Sequence, residues 1–343
     1  MTETVVPSIA FSTEKRPPLQ KLPGYSLFDQ SRRKLEEMMH ASAIPAYLAS
    51  FPNRPEEPVP YPYTHYLNTQ WENFILHDTK GTATLLVGLD MIKDFATGLS
   101  EEDGAVLSRF SAELARVREE DKVPNIPMGV KIRSIDFCMQ YFQKHLLHRK
   151  FDLPDEAKPL EKLVNDAKTT TMIWPMLYHS ALTLNSIAQG GDERLKSNIY
   201  RLKDTKVYAR DVIKKASSRT NVITTGIKGK MQLDGIKGIM LLNLVKNAVR
   251  HSTKGVLVKF DGDEITVINT SVDPVTRNNL FEPGKPGKSG NTGFGLFTSR
   301  NIFGSLGGYD IVLNSGSDAD GAPPYTVSFT IKPLKDPSQE PLQ

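Results

Sequence analysis

The sequence predicts an α+β protein: a helical N-terminal part followed by a C-terminal mixed sheet with its helices on one face. Three observations predict it. Apolar residues recur at helical spacing from Trp71 to about Ala188. A second helical pattern, LLNLVKNAVRHS (Leu241 to Ser252), carries two asparagines and is followed by alternating segments at 255–260 and 264–269. A glycine-bearing stretch ending at Gly295 then leads into another helix and two more strands.

Taken in order, residues 1–63 hold Pro17-Pro18 and the run FPNRPEEPVPYPY. Proline removes an amide donor and fixes φ, so this segment reads as an extended arm with one short helix over 31–39. From Trp71, Phe74, Leu85, Leu89, Ile92 and Ala96 form a stripe that can face a partner helix, with His77, Asp78 and Lys80 nearer the polar side. Further helices are predicted over 101–120, 132–147, 160–167 and 172–188, and Gly190-Gly191-Asp192 marks a turn. Residues 64–201 thus read as one helical unit with an insertion. The third unit, 202–343, starts with a helix over 207–216, a strand over 222–227 and the asparagine helix over 233–251. A hairpin turning at Asp261-Gly262 comes next, then a lid over 270–292, a helix after Gly295, and strands over 309–313 and 325–331.

Composition narrows the function classes. With 43 Lys and Arg against 39 Asp and Glu, interspersed, charge gives no indication of nucleic acid. A lone cysteine, Cys138, rules out an internal disulfide and suits a reducing cytosol. No apolar run is long enough to span a bilayer, which leads us to expect a soluble, cytoplasmic protein. Gly287-Lys288-Ser289 looks like the end of a phosphate-binding loop, but Glu282 stands at its first glycine and no strand-to-helix context surrounds it. His145, His148 and His179 lack carboxylates or cysteines at ligand spacing, so they read as surface or core residues.

The asparagine helix carries the chemistry. Asn243 and Asn247 lie one turn apart beside the apolar stripe, and amide oxygens are hard donors suited to Mg2+. Gly290, Gly293 and Gly295 let backbone approach phosphate closely, and Leu296 onward reads as a helix whose N-terminus favours negative charge. Together they describe a nucleotide site.

Asn243-x-x-x-Asn247-Ala248-x-Arg250-His251-Ser252 resembles the N box of the GHKL ATPase superfamily in its histidine-kinase form. Phe281-Glu282-Pro283 resembles the F box, and Gly293-Phe294-Gly295-Leu296 the second glycine box, in the family's order and spacing. Upstream, the stretch around His77-Asp78 resembles the H box of the kinase dimerisation domain. The resemblance implies a Bergerat-type sandwich behind a helical dimerisation bundle, binding ATP and Mg2+. It implies Asn247 as metal ligand, and Asn243 as reaching the metal through water or positioning a phosphate. Arg250 would touch phosphate, His251 would line the nucleotide, and Lys288, Gly290, Thr292, Gly293, Phe294, Gly295 and Leu296 would form the lid and phosphate cradle. Asn269 stands where the first glycine box has its aspartate; its carbonyl can accept from an adenine amino group, without a carboxylate's charge. His77 would be the phospho-acceptor and Asp78 its orienting acid, in a homodimer that passes the phosphoryl group to an aspartate of a response-regulator receiver. Two alternatives remain. One is a nucleotide-binding scaffold or phosphotransfer adaptor without kinase activity. The other is a serine kinase like the mitochondrial dehydrogenase kinases, which carry a glutamate where Asn243 stands.

Overall fold

Helices come first and the sheet second, in an α+β architecture. The computed structural model describes residues 16–49, 82, 85–122, 126–217, 221–227, 229–271, 275, 280–282, 295–315 and 324–334. The helical part holds α1 (Tyr25–Ala49), a short helical stretch ending with Ile92–Phe95, α2 (Glu101–Lys122), α3 (Met128–His145), α4 (Lys158–Gln189) and α5 (Asp192–Asp204). From α2 to α5, each helix packs on the next. Their apolar stripes meet: Leu107, Phe110 and Leu114 of α2 face Ile135, Met139 and Phe142 of α3, with the Phe110 and Phe142 rings 6.4 Å apart. Leu85, Leu89 and Ile92 are buried in the same core, while Val87, Met91 and Phe95 are exposed.

α4 runs unbroken where the sequence suggests two helices. The interruption read over 168–171 is the run Thr169-Thr170-Thr171, residues that ordinarily favour other conformations. Here each hydroxyl donates to the carbonyl four residues back, at 3.0, 2.7 and 2.8 Å, which satisfies the buried oxygens inside the helix. Pro175 also lies within it, so the helix continues past a missing amide donor.

The second part has a two-stranded sheet of β1 (Lys206–Tyr208) and β3 (Gln232–Asp234), and a five-stranded sheet. The larger sheet contains β2 (Val222–Thr225), β4 (Val256–Asp261), β5 (Glu264–Ser271), β6 (Tyr309–Ser315) and β7 (Tyr325–Pro333), in the order β2-β4-β5-β7-β6. β2 is parallel to β4 and every other pair is antiparallel, so the sheet is mixed. Strict alternation along β5 buries Ile265, Val267, Asn269 and Ser271 on one face. That face carries α6 (Ala209–Ala216), α7 (Gly235–His251) and α8 (295–307). The β4–β5 turn is Gly262-Asp263, one residue later than predicted, because Asp261 and Glu264 still pair; Gly262 takes the positive φ of 55° the turn needs. The first helix of this part also starts later than its pattern suggests: Val207 belongs to β1, and α6 begins at Ala209.

The two parts share one continuous core. α4 packs on both α6 and α7. Gly238 of α7 lies so close to Met176 of α4 that a Cβ there would sit 2.6 Å from its sulfur. Lys215 of α6 donates to the Thr170 hydroxyl at 2.5 Å, and burial lowers its pKa.

The arm also differs from expectation. The predicted short helix is the 25-residue α1; it docks on α8, and its Phe28 and Leu35 are fully buried. A Cβ on Gly24 would overlap the Ser305 carbonyl, so glycine permits the approach. Arg16 pairs with Asp204 and lies over the Tyr200 ring at 4.9 Å, while the Tyr200 hydroxyl donates to the Pro17 carbonyl at 3.0 Å. Proline richness near the start described the flanks of this helix, and tertiary packing of its apolar stripe set its length.

Two outcomes follow from this packing. Phe28→Ala removes a fully buried ring of α1 and should lower the unfolding free energy by ~3–5 kcal/mol in urea titration. His179 of α4 has its Nδ1 buried with no hydrogen-bond partner among the described residues, and burial first, then the charge of Arg201, lowers its pKa from 6.5 to about 4. The unfolded chain protonates this residue between those two values and the folded chain does not. Stability should therefore be fully present above pH 6.5 and fall as pH drops toward 4, with a shallower fall in His179→Leu, read from urea midpoints against pH.

Candidate functional site

α7 begins at a firm anchor. Asp234 caps it, Oδ1 accepting from the amides of Ile236 and Lys237, both at 2.9 Å, and Oδ2 accepting from the Tyr309 hydroxyl of β6 at 2.7 Å. Burial, together with the hydrogen bond to Asp234, pushes the Tyr309 phenol well above its usual range, so it remains a donor. From Gly235 to Val245 the helix is buried almost continuously, between the sheet and the helices around it. Such a helix has little room for amides unless each finds a partner.

The partner is α8. Asn243 is 9 % exposed, and its Nδ2 donates to the hydroxyl of fully buried Ser299 at 2.8 Å. One turn on, half-buried Asn247 places its Nδ2 3.9 Å from where a Cβ of Gly295 would stand. In the other direction, Met240 approaches Gly304, and Ile236 lies against Gly307. The pairs 236/307, 240/304, 243/299 and 247/295 advance on α7 as they retreat on α8, so the helices run antiparallel with small residues of α8 along the seam. Asn243 and Asn247 therefore lie beside the first turns of α8.

α8 is itself unusual. It opens with Gly295–Phe297, continues as a π-helical stretch Thr298–Gly304 and closes with Ser305–Gly307. The Thr298 hydroxyl is buried and has no hydrogen-bond partner among the described residues. Arg300 donates to Asp310 at 2.7 Å and lies 4.3 Å over the Phe281 ring, and Asn301 donates to the Phe281 carbonyl at 3.2 Å. Phe281 is thus pinned to α8.

Other predicted residues fall around this seam. β5 runs beneath α7, and Asn269 sits in its ladder opposite Val256 and Val327, 6 % exposed and on the helix-facing side. Arg250 and His251 occupy the exposed last turn of α7, where positive charge suits the helix dipole. Leu296 is half-buried in the first turn of α8. His77, Asp78, Lys288, Gly290, Thr292, Gly293 and Phe294 lie outside the described residues.

Sequence reasoning missed Ser299, Thr298, Arg300, Asn301 and the Asp234–Tyr309 pair. Ser299 could have been found, since it lies four residues after Gly295 and so on the same helical face. Asp234 immediately before an apolar helix is an N-cap signal. No sequence pattern points to Tyr309 or to the orphaned Thr298 hydroxyl.

The fit to Mg2+ and a nucleotide rests on these observations. Among the described residues no three His, Cys, Asp or Glu side chains gather as metal ligands, so a cation at the seam would rest on amide oxygens. Asn243 spends its NH2 on Ser299, which leaves its Oδ1 as acceptor. At Gly295 a Cβ would meet only the Asn247 Nδ2, at 3.9 Å, among the described residues, which leaves backbone room for an anionic group, so the residues present fit.

No protein-family model matches the chain, and no curated protein matches it. Among solved structures the chain is similar to a mycobacterial sensor histidine kinase, MprB, at 18% identity and a TM-score of 0.29, covering 38% of this chain and 99% of that one. It is similar to the Acinetobacter baumannii histidine kinase AdeS at 14% identity and a TM-score of 0.27, covering 67% and 94%. The catalytic domain of histidine kinase ThkA, in a nucleotide-free form, is similar at 16% identity and a TM-score of 0.29, covering 40% and 98%.

Ser299→Ala should leave the Asn243 NH2 unpaired in a buried place and cost ~1–3 kcal/mol of unfolding free energy. Adding Asn243→Leu should cost less than the sum of the two single changes, because the polar pair is then replaced as a unit; a thermodynamic cycle from denaturant unfolding measures this.

Proposed function

We propose that this chain is a protein-histidine kinase that binds ATP with Mg2+, phosphorylates its own His77 and passes the phosphoryl group to an aspartate of a response-regulator receiver. The observation that carries this reading is the antiparallel seam. It sets two amides of α7 against the first turns of α8, the helix that begins at Gly295.

Phosphoryl transfer depends on positioning and charge neutralisation more than on covalent chemistry from the protein. Asn247 and Asn243 would hold Mg2+, which when bound offsets phosphate charge. The buried Asn269 carbonyl would accept from the adenine amino group, as a neutral substitute for a carboxylate. Arg250, at the exposed end of α7, and Lys288 of the lid would meet the outer phosphates. Asp78 would hold the proton on one ring nitrogen of His77, leaving the other to attack the γ-phosphorus. The N–P bond forms as the bond to the β-phosphate oxygen breaks, and ADP leaves. A receiver carboxylate oxygen then takes the phosphoryl group, and the N–P bond breaks. In this reading the active form is a homodimer, and a reducing, cytosolic setting agrees with a single cysteine, Cys138, that is buried.

Protein incubated with γ-labelled ATP and Mg2+ should acquire acid-labile, base-stable label. His77→Gln should abolish it, and Asn247→Ala should reduce it by at least about a hundredfold. Acid-stable label would point to the serine-kinase alternative, and label surviving in His77→Gln would refute the assignment of the acceptor.

A further inference from the structure

Far from the seam, β2 ends the large sheet, and among the described residues no strand lies on its outer side. The Val256 amide donates to the Asn221 carbonyl at 3.2 Å. Residues facing one neighbour alternate along a parallel ladder, so Asn221, Ile223 and Thr225 direct their backbone groups to β4, while Val222 and Thr224 direct theirs outward. Native sheets usually protect such an edge with charge, proline or a covering segment. The strand here reads Val-Ile-Thr-Thr, and Ile223 is 64 % exposed on the open face.

On the other face, Val222 and Thr224 align with buried Val256 and Val258, which places them on the helix side. There they line a groove of about 450 Å3 together with Arg210, Ile213 and Lys214 of α6. Arg210 and Lys214 lie one helical turn apart, both are exposed, and neither has an ion-pair partner among the described residues. The edge thus offers two outward backbone donor–acceptor pairs, positive charge on its helix side and an apolar residue on its open side.

We propose that this edge and groove bind an extended acidic segment of a partner protein, added to the sheet as a further strand beside β2. Side chains of an added strand alternate between the two faces, so the surface specifies a pattern. Residues level with Val222 and Thr224 meet Arg210 and Lys214 and are acidic; those level with Ile223 are apolar. The ligand class is an alternating acidic–apolar strand. This surface is independent of the nucleotide reading and stands or falls without it.

The test uses the full chain and two fluorescent peptides with blocked ends, one alternating Val and Glu and one alternating Val and Lys, read by anisotropy. The Val-Glu peptide should saturate and the Val-Lys peptide should not. Thr224→Pro removes an outward amide while leaving the ladder to β4 intact, and should weaken binding at least about tenfold. The pair Arg210→Glu and Lys214→Glu should weaken it by a similar factor and invert the preference between peptides. Circular dichroism melts of each variant identify any loss of fold, and the charge-reversed pair decides the matter if Thr224→Pro unfolds. Equal binding of both peptides, full affinity in Thr224→Pro, or displacement by inorganic phosphate at constant ionic strength would overturn the proposal. So would dimerisation of the chain itself through this edge, seen as a dimer abolished by Thr224→Pro with no peptide binding.

Discussion

The antiparallel seam between α7 and α8 is the constraint on which the rest of the C-terminal part depends. A helix as deeply buried as α7 can keep two asparagines only if its neighbour supplies partners and space. α8 supplies both. Ser299 takes the Asn243 hydrogen bond, and Gly295, Gly304 and Gly307 let the helix come close enough at Asn247, Met240 and Ile236. A bulkier α8 would push the amides apart from the turn that follows the lid, and the site would lose its geometry before any ligand arrived.

That seam is held from both sides. Beneath it, β5 runs under α7, and the Asp234–Tyr309 hydrogen bond ties the start of α7 to β6. Over α8 lies α1, with Phe28 and Leu35 buried and its approach permitted by Gly24. Behind α7, the long α4 makes direct contact through Met176, so helical and sheet-bearing parts share apolar packing rather than touching only through a linker. In this arrangement the first described residues of the chain help position the helix that carries the end of the glycine box. The Phe281 ring under Arg300 is held against the same helix.

Much of this was legible in the sequence, where local pattern and tertiary demand agree. The alternation of β5, the apolar stripe of α7 and the helical stripes of α2 and α3 each repeat with the period of their element, and each element formed with its expected type, although α3 starts at Met128 and α7 at Gly235 where the sequence suggests 132 and 233. Legibility failed where a distant partner decides. The threonine run looked like a break, yet bonding to carbonyls four residues back keeps α4 continuous. α1 exceeds its predicted length because its stripe finds α8, more than 250 residues away. The turn at Gly262-Asp263 shifted by one residue because strand pairing extends through Asp261. At the site, the asparagines announced themselves by their spacing and Ser299 shares a helical face with Gly295, whereas the Thr298 hydroxyl carries no signal until two helices are placed together.

The central claim is that the seam is built to hold a nucleotide and its cation. Its most direct test is calorimetric titration of the full chain with ATP, in the presence and absence of Mg2+, for wild type and Asn247→Ala. The account predicts saturable binding at one site per chain that strengthens with Mg2+, with the Mg2+ dependence lost in Asn247→Ala. Absence of binding in the wild type, or binding whose Mg2+ dependence survives in the variant, would contradict it.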